Sequence, residues 1–409
     1  MDLITYLQND LITDNTKELS KDKIFLKTFQ NSKYAKDIKN YITPKELLKA
    51  LNLSTKFIGI TGTNGKTTTA FVLSYLLKEL GYNVATQGTE GFYYNLEKVE
   101  PKTLTTPPIF TTIKRVFKYK PDFYIMEVSS HAIAQQRIEG IEFFAKLFSS
   151  FSQDHLDFHK SMEEYKKIKE SFFQDDVIKI VNGKVLSSKF QVLGDKCKVK
   201  IGRYEFEMNC KNLYIIEKPI VKNIPMAGEF NKMNFSLALK TAQIITNSPF
   251  SILYSKLKNF KGVPGRMEIV SKNPLIIIDF AHTPDGIENV LKSVKGKKIV
   301  VFGAGGDRDR DKRSLMGRVA SENADFVILT NDNPRCEDEM KIIEDIEKGL
   351  IHKNYLIIPD RKEAIKKGIE IAKKENATLL VLGKGDEKYI EKCKEKIPFN
   401  DKEIIKCLL

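Results

Sequence analysis

Short apolar runs, each closed by a polar or glycine-bearing turn and followed by a helical repeat, recur along most of this chain. Phe57-Ile58-Gly59-Ile60 reads as a buried strand, and Ala70-Phe71-Val72-Leu73-Ser74-Tyr75-Leu76-Leu77 has apolar residues at helical spacing. Further strands are predicted at 123–128, 143–148 and 176–181. After a break rich in glycine and proline at Phe260-Lys261-Gly262-Val263-Pro264-Gly265-Arg266, a second series follows at 275–280, 299–302, 324–330 and 377–382. Each strand of that second series is expected to lead through a polar loop into a helix. Strand–helix alternation implies largely parallel sheets covered by helices, with ligands beyond the carboxyl ends of the strands. The first stretch is weakly patterned: a strand at Ile24-Phe25-Leu26, and a helix over 44–51 with Thr43 as N-cap. The prediction is an α/β chain with a small N-terminal domain at 1–54, a central domain at 55–263 and a C-terminal domain at 264–409.

The stretch between the first strand and helix is Thr61-Gly62-Thr63-Asn64-Gly65-Lys66-Thr67-Thr68. Strand, glycine loop and helix start form the setting of a phosphate-binding loop, where backbone N–H groups and the helix dipole face an anion. Lys66 would reach the outer phosphates and the Thr67 hydroxyl would ligate Mg²⁺. The usual first glycine of the spacing is replaced by Ile60, so the loop is a variant. Glu127, at the end of the 123–128 strand, is the carboxylate expected to meet that Mg²⁺, since Mg²⁺ takes hard oxygen ligands.

Other clusters follow strand ends. Asp154-His155-Leu156-Asp157-Phe158-His159 gathers two of the five histidines, the pattern of a metal or phosphate site. Tyr165-Lys166-Lys167-Ile168-Lys169 reads by itself as a solvated helix face. Gly303-Ala304-Gly305-Gly306-Asp307-Arg308 is a dinucleotide fingerprint broken at Arg308, and the charges from Asp307 to Arg313 read as a loop for a zwitterionic ligand. Asn331-Asp332-Asn333-Pro334-Arg335 makes a rigid turn presenting a guanidinium suited to a carboxylate. Gly383-Lys384-Gly385-Asp386-Glu387 offers an acid for an ammonium.

Composition narrows the reading. The net charge of +14 permits nucleic-acid binding, but the lysines are scattered with no basic block, which favours anionic small molecules. The five cysteines show no metal spacing and are expected to be buried or free thiols in a reducing compartment. The N-terminus has no signal-peptide pattern, and no apolar run reaches the roughly 20 residues of a membrane span. A cytoplasmic location follows as the expectation.

Together these motifs resemble the Mur ligase family, the ATP-dependent amide-forming enzymes of peptidoglycan synthesis. Within it they resemble the branch adding meso-diaminopimelate to UDP-N-acetylmuramoyl-L-alanyl-D-glutamate. The resemblance implies a reduced N-terminal domain, a central P-loop ATPase-like domain and a C-terminal Rossmann-like domain. It implies ATP binding by Gly62, Thr63, Asn64, Gly65, Lys66, Thr67 and Thr68, joined by Asn231, Arg266, His282 and Asp285. It places the UDP-muramyl substrate on Thr105, Thr106, Pro107, Ser129, Gln135 and Arg137. Metal residues would be Thr67, Glu127, His155 and Lys169, the lysine carbamylated, and Lys66, Lys169, His155 and Glu127 would carry catalysis. Diaminopimelate would meet Arg313, Asp332, Asn333, Pro334, Arg335, Gly383 and Glu387, with Arg335 pairing the second carboxylate that lysine lacks. Family members carry a longer N-terminal segment with an Asp-Ser-Arg uridine motif, of which Thr13-Asp14-Asn15-Thr16 is a remnant. ATP and Mg²⁺ are the implied cofactors, the partners are small molecules without nucleic acid, and the chain is expected to be a monomer. ATP and amino-acid motifs lie on different domains, so closure about 260–266 on ligand binding is expected. The rival readings are a ligase adding lysine or extending folate with glutamate, and a non-catalytic nucleotide- or nucleic-acid-binding protein.

Overall fold

The computed structural model describes residues 2–101, 104–185 and 196–409. Contacts divide the chain into two compact units. One comprises Met1–Phe151, Glu163–Ile220 and Asn234–Leu257; the other comprises Ser152–Met162, Val221–Met233 and Lys258–Leu409.

The first unit is built on an eight-stranded sheet in the order Leu213–Ile216, Ile178–Asn182, Phe143–Phe148, Lys56–Thr61, Phe123–Glu127, Val84–Gly88, Gly91–Tyr94, Glu97–Glu100. Its first six strands run parallel and the last two fold back antiparallel. Strand Lys56–Thr61 is central, and its residues from Phe57 to Thr61 are all buried, as parallel strands covered on both faces require. The helix Lys66–Glu79 follows and is buried over nearly its whole length. Strand Val84–Gly88 and the two strands that follow it carry no run distinct enough to announce them in the sequence: three of the four residues of Glu97–Glu100 are charged. Cys197 and Cys210 are joined as a disulfide with Cα atoms 5.4 Å apart, and Cys336, Cys393 and Cys407 are exposed. The disulfide corrects the expectation of buried or free thiols for Cys197 and Cys210, while Cys336, Cys393 and Cys407 are free. The antiparallel register from Lys196↔Asn209 to Ile201↔Tyr204 brings the ends of that hairpin, and with them the two cysteines, together.

The N-terminal residues form a parallel three-stranded sheet, Ile12–Thr13, Ile24–Leu26 and Tyr41–Ile42. The helix Pro44–Leu51 begins with a capping box between Thr43 and Glu46. So small a lobe buries too little to stand alone. Its core residues Leu7, Ile12, Leu26, Ile42 and Leu47 pack with Ile109, Phe110 and Ile113 of the helix Ile109–Tyr119.

The second unit carries a six-stranded sheet in the order Glu268–Lys272, Leu275–Asp279, Thr378–Leu382, Lys298–Phe302, Phe326–Leu329, Tyr355–Ile357. Only the first of these pairs antiparallel. Apolar side chains on both faces form separate cores. The expected strand–loop–helix rhythm fails once: after Thr378–Leu382 comes a hairpin, Tyr389–Lys392 and Glu395–Pro398, before the helix Asp401–Leu408. The charged stretch from Asp307 to Arg313 is also only partly a loop, because Asp311 to Arg313 open the helix Asp311–Asn323. No helix among the described residues is long and apolar enough to cross a membrane.

Candidate active site

In the first unit the glycine loop closes on itself. Lys66 Nζ donates to the carbonyls of Gly62 and Thr63, both at 2.8 Å. Ser150 fixes Asn64 from both sides, its Oγ accepting from the Asn64 N–H and donating to the Asn64 carbonyl, each at 2.9 Å. Gly62 has φ +143°, and a Cβ there would overlap Ser149 Oγ, so both conformation and space demand glycine. Gly65, at φ +87°, leads into the helix whose first turn holds Thr67 and Thr68.

From the loop a hydrogen-bond chain runs outward. Thr67 Oγ1 donates to Glu127 Oε1 at 2.9 Å, and Thr89 donates to the same carboxylate through its N–H and its hydroxyl, each at 3.0 Å. Glu127 is 1% exposed, so those donors replace its water. Thr89 Oγ1 lies 3.3 Å from Thr105 Oγ1, and Thr106 Oγ1 donates to the Glu127 carbonyl at 2.8 Å. The Ser129 N–H donates to Thr106 Oγ1 at 3.0 Å, and Ser129 Oγ caps the short helix Ser130–Ala134. Arg137 Nη1 donates to the Thr106 carbonyl and Nη2 to Gln135 Oε1, at 3.1 and 2.5 Å. Its Nε is buried without a hydrogen-bond partner among the described residues, and burial lowers its pKa. An orphaned guanidinium donor is a place for an anionic ligand. Thr67, Glu127, Thr105, Thr106, Ser129, Gln135 and Arg137 are thus brought together, and Pro107 follows Thr106 directly.

Lys169 is not on a solvated face. It is 1% exposed, and its Nζ donates to Thr61 Oγ1 at 3.0 Å and to the Gly62 carbonyl at 3.2 Å, beneath the glycine loop. Tyr165, one turn earlier, is equally buried, its hydroxyl 3.1 Å from Thr63 Oγ1. Amphipathic spacing missed this because the buried positions carry polar heads. Thr89 was likewise missed; nothing in its local sequence marks a ligand of Glu127. Beside Thr13 and Asp14 lies a cavity of about 230 Å³, lined also by Glu18 and Lys114.

In the second unit His155 stands at φ +58° with Nε2 3.2 Å from Asp154 Oδ2, and Asp154 Oδ1 pairs with Lys312 Nζ at 3.3 Å. Asp285 Oδ2 accepts from Ser152 Oγ at 3.4 Å. His282 Nδ1 lies 2.9 Å from the Phe280 carbonyl; burial lowers its pKa and the Lys312 charge lowers it further. Arg266 lies over the Phe280 ring, 4.2 Å from its centroid. Asn231 is buried and holds the Ala227 carbonyl at 2.7 Å. Asn231, Arg266, His282 and Asp285 therefore belong to this unit, while Thr67, Glu127 and Lys169 belong to the first.

The amino-acid residues gather on neighbouring strand ends. Asn333 Nδ2 donates to Glu387 Oε2 at 2.9 Å, and Lys384, fully buried, donates to both Asn333 Oδ1 and Glu387 Oε2 at 3.1 and 3.0 Å. Gly383, at φ +108°, leaves room for the Asp332 carboxylate where a Cβ would collide with it. Pro334 is buried between Asn333 and Arg335. Arg335 adopts φ +51°, donating from Nη1 to the Gly306 carbonyl at 2.7 Å, with Nε 3.3 Å from Glu391. Arg313 is fully buried, and Glu337 takes both its Nη atoms at 2.8 Å while Asp345 lies at 3.2 Å. That pairing holds the Glu337 carboxyl down at about 2. Gly303 and Gly306 leave space for the Thr330 and Pro334 carbonyls, so the glycine string serves backbone packing. Lys384 and Arg361 were missed. Arg361, ion-paired with Asp401 at 2.7 Å, binds the carbonyls of Asn331 and Leu382 and so ties two strand ends together.

Among the described residues no three His, Cys, Asp or Glu side chains assemble as a metal site. The donors present still suit Mg²⁺: the Thr67 hydroxyl and Glu127 carboxylate are hard oxygens in contact beside a phosphate-type loop.

Residues 60–242 match the Mur ligase middle domain and residues 265–385 the Mur ligase, glutamate ligase domain. The UDP-N-acetylmuramoyl-L-alanyl-D-glutamate–2,6-diaminopimelate ligase of Wolinella succinogenes is 39% identical, over 97% of this chain and 95% of its own length. The ligase of the same description from Helicobacter pylori is also 39% identical, over 97% and 94%. A solved structure of a ligase so described aligns with TM-score 0.58 at 24% identity, covering 97% of this chain and 94% of its own. Mycobacterium tuberculosis folylpolyglutamate synthase, complexed with ADP and AMPPCP, aligns with TM-score 0.62 at 15% identity, covering 83% and 91%. These structural likenesses show the shared α/β fold.

Proposed function

The chain belongs to the Mur ligase family, and from that premise we propose that it joins meso-diaminopimelate to the D-glutamyl carboxylate of UDP-N-acetylmuramoyl-L-alanyl-D-glutamate, with ATP converted to ADP and phosphate. The observation that carries the reading is the continuous hydrogen-bond chain from Thr67 through Glu127 and Thr89 to Thr105, Thr106 and Arg137. It ties an ATP loop to the residues assigned to the muramyl substrate. We keep the functional division into 1–54, 55–263 and 264–409, a monomer, and a cytoplasmic location as parts of this proposal.

The reaction has two steps. A D-glutamyl carboxylate oxygen takes the γ-phosphoryl group, forming an acyl phosphate and releasing ADP. The diaminopimelate amine then attacks the acyl carbon, the tetrahedral intermediate expels phosphate, and the nitrogen loses a proton. The protein's part is positioning and charge neutralisation. Lys66 exchanges its two loop carbonyls for the outer phosphates. Gly62 to Thr68 present N–H groups to the triphosphate, with Asn231, Arg266, His282 and Asp285 on its nucleoside side. Arg137 offers its orphaned Nε to an anionic group of the muramyl substrate, flanked by Thr105, Pro107, Ser129 and Gln135. The cavity beside Thr13 and Asp14 receives the uridine end.

Thr67 and Glu127 would hold Mg²⁺, and His155 and Lys169 are the further metal residues. A bound Mg²⁺ neutralises the charge of the transferring phosphoryl group. The Lys169 ammonium has no lone pair to offer a metal, whereas a carbamate on Nζ has anionic oxygens; labelled bicarbonate should give a carbamate signal that Lys169→Ala abolishes.

Arg335 and Glu387, aligned by Asn333, Pro334 and Lys384, would hold the distal carboxylate and ammonium of diaminopimelate, with Asp332 and Gly383 beside them. Arg313 gives its two Nη atoms to Glu337, Asp345 and the Gly305 carbonyl, while its buried Nε has no hydrogen-bond partner among the described residues and is the donor it would offer to the ligand. The test is phosphate release with each component omitted. Release should require the muramyl dipeptide, ATP and diaminopimelate together, and release that proceeds equally with lysine or without the dipeptide would count against the assignment.

A further inference from the structure

The turn that carries Arg335 is fastened to the hairpin Tyr389–Lys392 and Glu395–Pro398 by the Glu391 N–H donating to Asn333 Oδ1 at 2.8 Å, by Arg335 Nε 3.3 Å from Glu391, and by the backbone at Arg335. Arg335 and Lys392 form an isolated parallel bridge: the Arg335 N–H donates to the Glu391 carbonyl at 3.0 Å and the Cys393 N–H to the Arg335 carbonyl at 2.9 Å. Parallel backbones run about 4.8 Å apart with residues paired in step. Cys336 follows Arg335 directly and the Cys393 N–H donates to the Arg335 carbonyl, so the two cysteines flank that hydrogen bond. Both are exposed. Hydrogen bonding to the Cys393 thiol is the main cause that raises the Cys336 pKa. Backbones joined by such a hydrogen bond bring adjoining Cα atoms to about 4.5 to 5.5 Å, within the separation of about 4.4 to 6.8 Å that a disulfide spans. No step of the ligase reaction uses either thiol.

We propose that Cys336 and Cys393 form a redox-responsive thiol pair that closes to a reversible disulfide in the presence of a small-molecule disulfide, stapling the Arg335 turn to the hairpin. One cysteine thiolate attacks a sulfur of the small disulfide, forming a mixed disulfide and releasing one small thiol. The thiolate of the second cysteine attacks the protein sulfur of that mixed disulfide and expels the second small thiol. The protein gives up two electrons and two protons, and the small disulfide is reduced to two thiols. The raised pKa of Cys336 slows its own attack at neutral pH, while proximity speeds the ring-closing one.

The consequence for activity rests on the proposed diaminopimelate site. Arg335 holds a left-handed backbone conformation that a non-glycine residue keeps only where its surroundings impose it, and the bridge to Lys392 is part of what imposes it. A covalent staple beside the bridge removes the freedom to leave that conformation. Preorganisation of this kind lowers the cost of binding, so KM for diaminopimelate falls severalfold on oxidation while KM for ATP stays unchanged.

The test incubates the full chain with glutathione disulfide and maps its peptides without reduction. The expected result is one cross-link joining the peptides of Cys336 and Cys393, reversed by dithiothreitol and absent from C336S and C393S. Separate glutathione adducts on both residues with no cross-link would overturn the proposal. An unchanged KM for diaminopimelate in the cross-linked protein would overturn its functional half. Phosphate release by the reduced protein is measured alongside. A cross-link without diaminopimelate-dependent release sinks the ligase assignment alone, and release without a cross-link sinks the thiol pair alone.

Discussion

Arg335→Ala is the sharpest probe of amino-acid choice. The guanidinium is held by the Gly306 carbonyl at 2.7 Å and stands 3.3 Å from Glu391. Its side chain is 22% exposed and that of Glu391 is 32% exposed, so water can replace both contacts. Partly exposed pairs of this kind contribute about 0 to 1 kcal/mol to stability, and the variant should fold. Its loss toward substrate is larger. A charge-assisted hydrogen bond to a carboxylate contributes about 1.5 to 3 kcal/mol, which is about 10- to 150-fold in kcat/KM at 1.36 kcal/mol per tenfold. Lysine has no second carboxylate and loses nothing. The assay is phosphate release with each amino acid at saturating ATP and muramyl dipeptide. The kcat/KM for diaminopimelate should fall by that factor, that for lysine should hold, and KM for ATP should be unchanged. If the ratio of the two amino acids moved by less than about twofold, Arg335 would not be the residue that reads the second carboxylate.

Four further outcomes are expected. Glu127→Gln keeps one acceptor oxygen, enough for the Thr67 hydroxyl and the Thr89 N–H that share Oε1, and sets an amide NH2 against Thr89 Oγ1, which can turn to accept from it; the charge is removed, so kcat should fall about 100-fold or more, read by phosphate release across a magnesium titration. In Gly62→Ala a Cβ would meet Ser149 Oγ at a backbone angle that L-residues avoid, so nucleotide affinity should drop, measured by calorimetry. Glu337 has its pKa depressed to about 2 by Arg313; a depressed carboxyl contributes stability above its unfolded pKa and loses it as pH falls through the folded one. Wild type should therefore lose thermal stability progressively from about pH 4.5 toward 2, and Glu337→Gln should show a shallower decline over that window. Gly383→Ala should displace the Asp332 carboxylate and raise KM for diaminopimelate without altering KM for ATP.

The sequence alone determined the elements whose signal is local. Buried parallel strands read as apolar runs because both their faces are covered, and the strands at Lys56–Thr61, Phe123–Glu127, Phe143–Phe148, Leu275–Asp279 and Thr378–Leu382 stood where such runs fell. Gly62 and Gly65 marked the loop because no other residue takes their backbone angles cheaply. Tertiary structure decided what depends on residues distant in the chain. Lys169 read locally as solvated until folding buried it under Thr61 and Gly62, and only folding brings Glu337 and Asp345 against the Nη atoms of Arg313. Thr89 and Lys384 carried no local mark, since a hydroxyl or ammonium becomes a ligand only when a remote carboxylate is folded against it. The edge strands and the hairpin beside Arg335 were invisible for the same cause: with one face in water, their residues need no apolar run, and it is the neighbouring strand that makes them strands.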